Sequence, residues 1–175
     1  MNKIKILYAE DDKSIVEFIK ILLKKYDFLE TEFVSNGLEA LTLYEKNKFD
    51  LVITDMIMPK LDGFELIKHI RTIDSEQIVM MITGLDNKED LIKAIDLRVH
   101  YFIEKPIKPK RFKIIFEECI EQINNKHEAE LSNLLLNQYK KAIDSSTILS
   151  KTDLKGKITY ANEAFYKIAQ YSKEE

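Results

Sequence analysis

Apolar and polar positions follow two rhythms along the first 124 residues, and the rhythms take turns. Short apolar runs near residues 4, 31, 49, 78 and 100 read as strands, while the stretches between them space apolar residues by three and four, as helices do. After Ser14, for example, Ile15, Phe18, Ile19 and Leu22 fall on one helical face. Asn36-Gly37, Asp62-Gly63 and Asp86-Asn87 supply turn chemistry and helix starts between the units. Five βα units in succession predict an α/β domain: a doubly wound, five-stranded parallel sheet covered by helices on both faces, with right-handed crossovers.

The strand ends carry the chemistry. Glu10-Asp11-Asp12 closes the run from Ile4 to Ala9, and the run from Phe49 to Thr54 ends on Asp55. Val79 to Ile82 ends on Thr83, and Tyr101 to Ile103 stops shortly before Lys105-Pro106. If the strands are parallel neighbours, these ends meet at one carboxyl edge, where open α/β sheets bind ligands. An acidic pocket with one hydroxyl and one ammonium suits magnesium and a phosphoryl group.

Composition narrows the classes. The chain has 175 residues, enough for one domain and a piece of another at roughly 100 to 200 residues per domain. A formal charge of -3 provides no basic field, so no nucleic acid is expected as a partner of this chain. The single cysteine, Cys119, stands beside Phe116 and Ile120 in a helical pattern and reads as packing. One cysteine, no signal peptide and no apolar stretch of about 20 residues lead to the expectation of a cytoplasmic chain with no membrane span.

Glu10-Asp11, Asp55 within Thr54-Asp55-Met56-Ile57-Met58-Pro59, Asp62-Gly63, Thr83-Gly84 and Lys105-Pro106 together resemble the signature of a response-regulator receiver domain, over residues 1 to about 124. Their order, and separations of 28 residues from Asp55 to Thr83 and 22 from Thr83 to Lys105, make the combination specific. The resemblance implies a flavodoxin-like receiver fold and a phosphoacceptor at Asp55, fed by a histidine kinase or a phosphotransfer protein. It also implies Mg2+ held by Asp11, Asp55 and the backbone carbonyl of Ile57, with Glu10 bound directly or through water. Asp12 more simply begins the turn into the first helix. Thr83 would donate to one phosphoryl oxygen and Lys105 would sit on another, with a cis bond before Pro106 aiming the lysine inward. Alternatively, Thr83 caps a turn and Lys105 is a surface charge.

Phe102 matches the family's switch aromatic, with ordinary strand filling as the alternative, and the adjacent Tyr101 should face the other side of the sheet. Leu97-Arg98-Val99-His100 departs from the glycine and small residues usual before this strand, so a bulkier, specialised output surface is expected there.

Beyond Lys105 the organisation changes. Arg111 to about Ile143 holds no glycine or proline, and Phe116, Ile120, Ile123, His127, Leu131, Leu134, Leu135, Gln138 and Ala142 recur mostly every three or four residues. The last receiver helix is therefore expected to extend into a signalling helix through residues 125–141, pairing with a second chain along the stripe from Ile120 to Leu134. The alternative is a helix folded back on its own domain. His127-Glu128 lacks the proline that follows a kinase phosphoacceptor histidine, Ser132 standing there instead. His69 and His100 have no partners at metal or catalytic spacing.

Residues 142–175 read as a hairpin with its turn at Leu154-Lys155-Gly156-Lys157, followed by a helix from Asn162. This resembles the opening of a PAS sensor domain, a partial α+β segment; a rival makes it a closing hairpin and helix. The leading function is a receiver of a two-component phosphorelay passing its state down a helix to a PAS-containing output, and not an enzyme. A scaffold that dimerises without phosphorylation is one alternative. An aspartyl-phosphate hydrolase is another, although it needs a second aspartate where Ile57 stands.

Overall fold

The computed structural model describes residues 3–84 and 88–170, so the expected turn at Asp86-Asn87 and the last five residues, from Tyr171, lie outside it. The chain divides into two compact units, Met1–Ile123 and Asn124–Glu175.

The first unit alternates β1 (Ile4–Ala9), α1 (Lys13–Leu23), β2 (Leu29–Val34), α2 (Gly37–Lys46), β3 (Leu51–Asp55), α3 (Gly63–Ile73), β4 (Ile78–Thr83), α4 (Lys88–Asp96) and β5 (Tyr101–Glu104), then enters α5 (Pro109–Ser146). All strand pairs are parallel, in the order β2-β1-β3-β4-β5. This is a five-stranded parallel sheet with flanking helices. The central strands β3 and β4 are buried along their whole length, which is why Leu51-Val52-Ile53-Thr54 and Ile78 to Ile82 read as unbroken apolar runs. The edge strand β2 alternates instead.

The sheet separates two cores. Ile4, Ile6, Tyr8, Ile53, Met80 and Ile103 pack with Ile19, Phe112, Phe116, Cys119, Ile120 and Ile123 on one side. Leu7, Ala9, Val52, Val79 and Met81 pack with Ala40, Leu66, Ile67 and Ile70 on the other. Burial pushes the Cys119 thiol up to about 12, in keeping with a packing role.

Three short polar side chains start helices as expected: Asp12 accepts from the Ser14 N–H, Asn36 from Glu39 and Asp62 from Glu65. Gly63 is required by a close approach, since a Cβ there would lie 2.2 Å from the Asp55 carbonyl oxygen. Helix α4 ends in a Schellman pattern, with Arg98 N–H on the Ile95 carbonyl and Val99 N–H on that of Ala94. The left-handed position, φ 53°, is taken by Arg98. The missing glycine before β5 is thus a backbone matter as well as a surface one: an arginine holds a conformation glycine would adopt without cost.

Arg71, which the sequence pattern did not single out, closes the amino end of this region. Its guanidinium donates to the carbonyls of Leu97 (2.9 Å), Gln77 (2.7 Å) and Arg98 (2.8 Å).

One expectation is corrected. Ile120 and Ile123 belong to the core of the first unit, at 7% and 1% exposure, because the first turns of α5 cover the sheet. The exposed stripe on α5 starts later, with Leu131 at 58% and Leu134 at 55%.

In the second unit, the strands β6 (Ser150–Thr152) and β7 (Ile158–Ala161) form an antiparallel hairpin, followed by α6 (Glu163–Ala169). The Asp153 carboxylate accepts from the N–H of Lys155 and Lys157, and Gly156 takes φ 83°. Buried Asn162 ties the unit together. Its side-chain oxygen accepts from Leu149 and Phe165 N–H, and its amide donates to the carbonyls of Asp144 and Thr147.

Candidate functional site

Parallel pairing brings the ends of β1, β3, β4 and β5 to one edge. With Ala9 opposite Thr54, the next residues, Glu10 and Asp55, are neighbours. Both are nearly buried, at 2% and 6% exposure, while Asp11 is exposed. Carboxylate oxygens of Glu10, Asp11 and Asp55 lie within 4.8 Å of one another.

Lys105 reaches into this cluster from just beyond β5. Its ammonium is 2.8 Å from Asp55 Oδ2 and 3.2 Å from Glu10 Oε2. The Lys105-Pro106 bond is cis. Burial works to lower the Lys105 ammonium, but the hydrogen bond and charge of Asp55, and then those of Glu10, outweigh it and hold it above its ordinary value. Glu10 shows the opposite balance: burial first, then the Asp55 carboxylate, push it up to about 7 against the pull of Lys105. Three carboxylates face one ammonium, so the cluster carries negative charge that one lysine does not cancel.

A divalent cation fits that surplus. The donors are hard oxygens from two neighbouring strand ends, and magnesium takes one or two carboxylates while keeping several waters. Asp12 stands apart from the cluster in its bonding. Ser14 donates to it through both its hydroxyl and its N–H, holding the carboxyl below its ordinary value. The Ile57 side chain is 72% exposed, so anything Ile57 offers the pocket comes from its backbone carbonyl.

Thr83 and Phe102 lie across the sheet from Asp55. Thr83 follows Val79 and Met81 in alternation, on the face of the second core, and its hydroxyl donates to the Met56 sulfur at 3.3 Å. Met56 is the residue sequence reasoning passed over here, a thioether beside the acceptor position that looks like apolar filling. Phe102 pairs with Met81 and is half-buried against the same core, whereas Tyr101 packs on the other and donates to Gln122 at 2.7 Å. The two aromatic residues do face opposite sides. His100 has a backbone role, its Nδ1 accepting from Val79 N–H at 3.3 Å.

A family model described as the response regulator receiver domain matches residues 6–117. Chemotaxis protein CheY-3 of Vibrio cholerae is 32% identical over 126 residues, covering 70% of this chain and 97% of that protein. The alkaline phosphatase synthesis transcriptional regulatory protein PhoP of Bacillus subtilis is 35% identical over 112 residues, 63% of this chain but 45% of PhoP. Among solved structures, the N-terminal domain of an uncharacterized protein from Wolinella succinogenes aligns with a TM-score of 0.64 and 31% identity, over 73% of this chain and 98% of that one.

Proposed function

The chain belongs to the response regulator receiver domain family of two-component systems, and on that premise we propose that it accepts a phosphoryl group on Asp55 and passes the change of state along α5. The observation that carries this reading is the Asp55 carboxylate at the end of β3, 2.8 Å from the Lys105 ammonium and clustered with Glu10 and Asp11. The donor is a histidine kinase or phosphotransfer protein. An Asp55 oxygen forms a bond to phosphorus as the bond from phosphorus to the donor's histidine nitrogen breaks. Glu10, Asp11, Asp55 and the Ile57 carbonyl would hold Mg2+, which supplies charge neutralisation for the transferring group. Lys105 leaves the carboxylates for a phosphoryl oxygen, and Thr83 exchanges Met56 for another.

The movement of Thr83 opens space on the side where Phe102 sits half-buried, and this supports Phe102 as the switch residue. A hydrolase of the aspartyl-phosphate kind is disfavoured, since it needs a second aspartate two positions after the nucleophile and an exposed Ile57 stands there. The chain thus acts as a phosphoacceptor rather than by converting a metabolite.

We place its action in the cytoplasm; no helix among the described residues is long and apolar enough to cross a membrane. The exposed leucines of α5 support a homodimer through that helix. The hairpin, the N-capping Asn162 and α6 support the opening of a PAS-like segment as the first part of the output.

Phosphoramidate treatment followed by peptide mass spectrometry tests the central proposal. Acyl phosphate is expected on Asp55, with none on Asp55→Asn. Label that persists in that variant, or maps to His127, overturns the assignment.

A further inference from the structure

One buried polar group beneath the pocket has no role in the reading above. Tyr8 stands two residues before Glu10 on β1, so both side chains project to the same face of the sheet. Its ring is fully buried, 5.4 Å from that of Phe33, and its hydroxyl has no hydrogen-bond partner among the described residues. Glu10 Oε2 is equally without a hydrogen bond: Lys105 lies at ion-pair distance from it, but not in donor alignment. Two orphaned polar atoms on one strand face, directly under a charged cluster, are unusual, because buried polar side chains are nearly always paired.

We propose that Tyr8 is a positioning residue for the acidic pocket, its hydroxyl being the buried donor that holds the Glu10 carboxylate once a divalent cation is bound. This rests on the reading of Glu10, Asp11 and Asp55 as a cation site.

The chemistry favours a donor role. A phenol carries a hydrogen that it can offer to a carboxylate, which has none of its own. In the structure Lys105 is shared between Asp55 and Glu10. With the lysine drawn fully to Asp55, or to a group on Asp55, Glu10 keeps only the Asp12 N–H, at 3.3 Å on Oε1, and its Oε2 is left without a donor. Tyr8 is fully buried on the strand face that Glu10 shares, and the proposed bond forms by rotation of the carboxylate or through a single water. A phenylalanine at this position would fill the same volume and offer nothing to Glu10.

The test is a double-mutant cycle read by Mg2+ titration of the 175-residue chain: wild type, Tyr8→Phe, Glu10→Ala and the double variant, with Asp11→Asn as control. Tyr8→Phe is expected to weaken Mg2+ binding about 3- to 10-fold, the size of one net hydrogen bond, and to have no effect in the Glu10→Ala background, where the acceptor is gone. Without Mg2+, Tyr8→Phe should melt no lower than wild type, since an orphaned hydroxyl contributes nothing there. An equal loss of affinity in both backgrounds overturns the inference, because the ring would then act by packing and not through Glu10. So does a lower melting temperature without Mg2+, or unchanged affinity in Tyr8→Phe while Asp11→Asn still loses the metal. If Asp11→Asn also binds normally, it is the cation site itself that fails.

Discussion

The two halves of α5 carry the same spacing of apolar residues and meet opposite fates. In the first unit, Phe112, Phe116, Cys119, Ile120 and Ile123 are sealed against the sheet. In the second, Leu131, Leu134, Leu135 and Leu136 stand exposed, and the unit's stability leans on polar ties through Asn162 more than on a core. An amphipathic stripe therefore states that a helix will be covered without stating by what. The first half has its cover within its own unit. The second half leaves its leucines exposed, and they form the surface on which the proposed homodimer would pair.

Breaking the second half should have the larger effect on assembly. Leu131→Asp with Leu134→Asp is expected to convert a dimer to a monomer, since each buried leucine is worth roughly 1.5 to 3 kcal/mol and two per chain are lost. Light scattering on the intact chain, on this double variant and on a chain cut after Asn124 decides it. The same oligomeric state for all three would return the helix to a fold-back arrangement. The melting of the first unit should be unchanged by the double variant. The converse change, Phe116→Ala, empties a fully buried position and should lower the stability of that unit by about 3 to 5 kcal/mol in denaturant titration, leaving the oligomeric contact intact.

A smaller, pH-dependent difference belongs to the first unit alone. The Glu10 carboxyl is raised to about 7 in the folded chain, from 4.5, so between those values the folded state keeps a proton that the unfolded state has released. Stability without metal should therefore fall as pH rises through about 7, and added Mg2+ should restore it. Thermal melts across pH 5 to 8 should show this slope reduced in Glu10→Gln. The smallest effect has the opposite sign. Arg98→Gly removes a side chain from a left-handed position while keeping the carbonyl that Arg71 holds, and should stabilise the chain by about 1 kcal/mol or less.

What was legible in the sequence was what depends on near neighbours. The strand and helix rhythm, and caps such as Asp12, Asn36 and Asp62, are set within a few residues, and the parallel order then carried Glu10, Asp55 and Lys105 to one edge. Other features depend on distant partners. Arg71 bonds carbonyls 26 and 27 residues away, and nothing near it announces them. Thr83 finds a sulfur across the strand ends, at a methionine that patterning counts as apolar. Tyr8 is likewise counted among the apolar positions of β1, so its hydroxyl disappears from the pattern. The division of α5 was hidden for the same reason: periodicity is a property of the helix, and burial is a property of what lies against it.

The Arg71 clamp turns α4 into a lever with one pinned end. Arg71 fastens Leu97 and Arg98, at the carboxyl end of α4, to the start of β4 through Gln77. The pocket is at the other end of the strands, beside the end of β4 from which the chain departs toward α4. A displacement arriving there cannot slide the helix along the sheet, because the far end is held by a fork of three bonds. It can tilt it. The exposed Leu91, Ile92 and Ile95 along α4 would then sweep through arcs that grow with distance from the fulcrum, so the proposed shift at Thr83 would be passed on most fully at the turns nearest the pocket and damped toward Arg98.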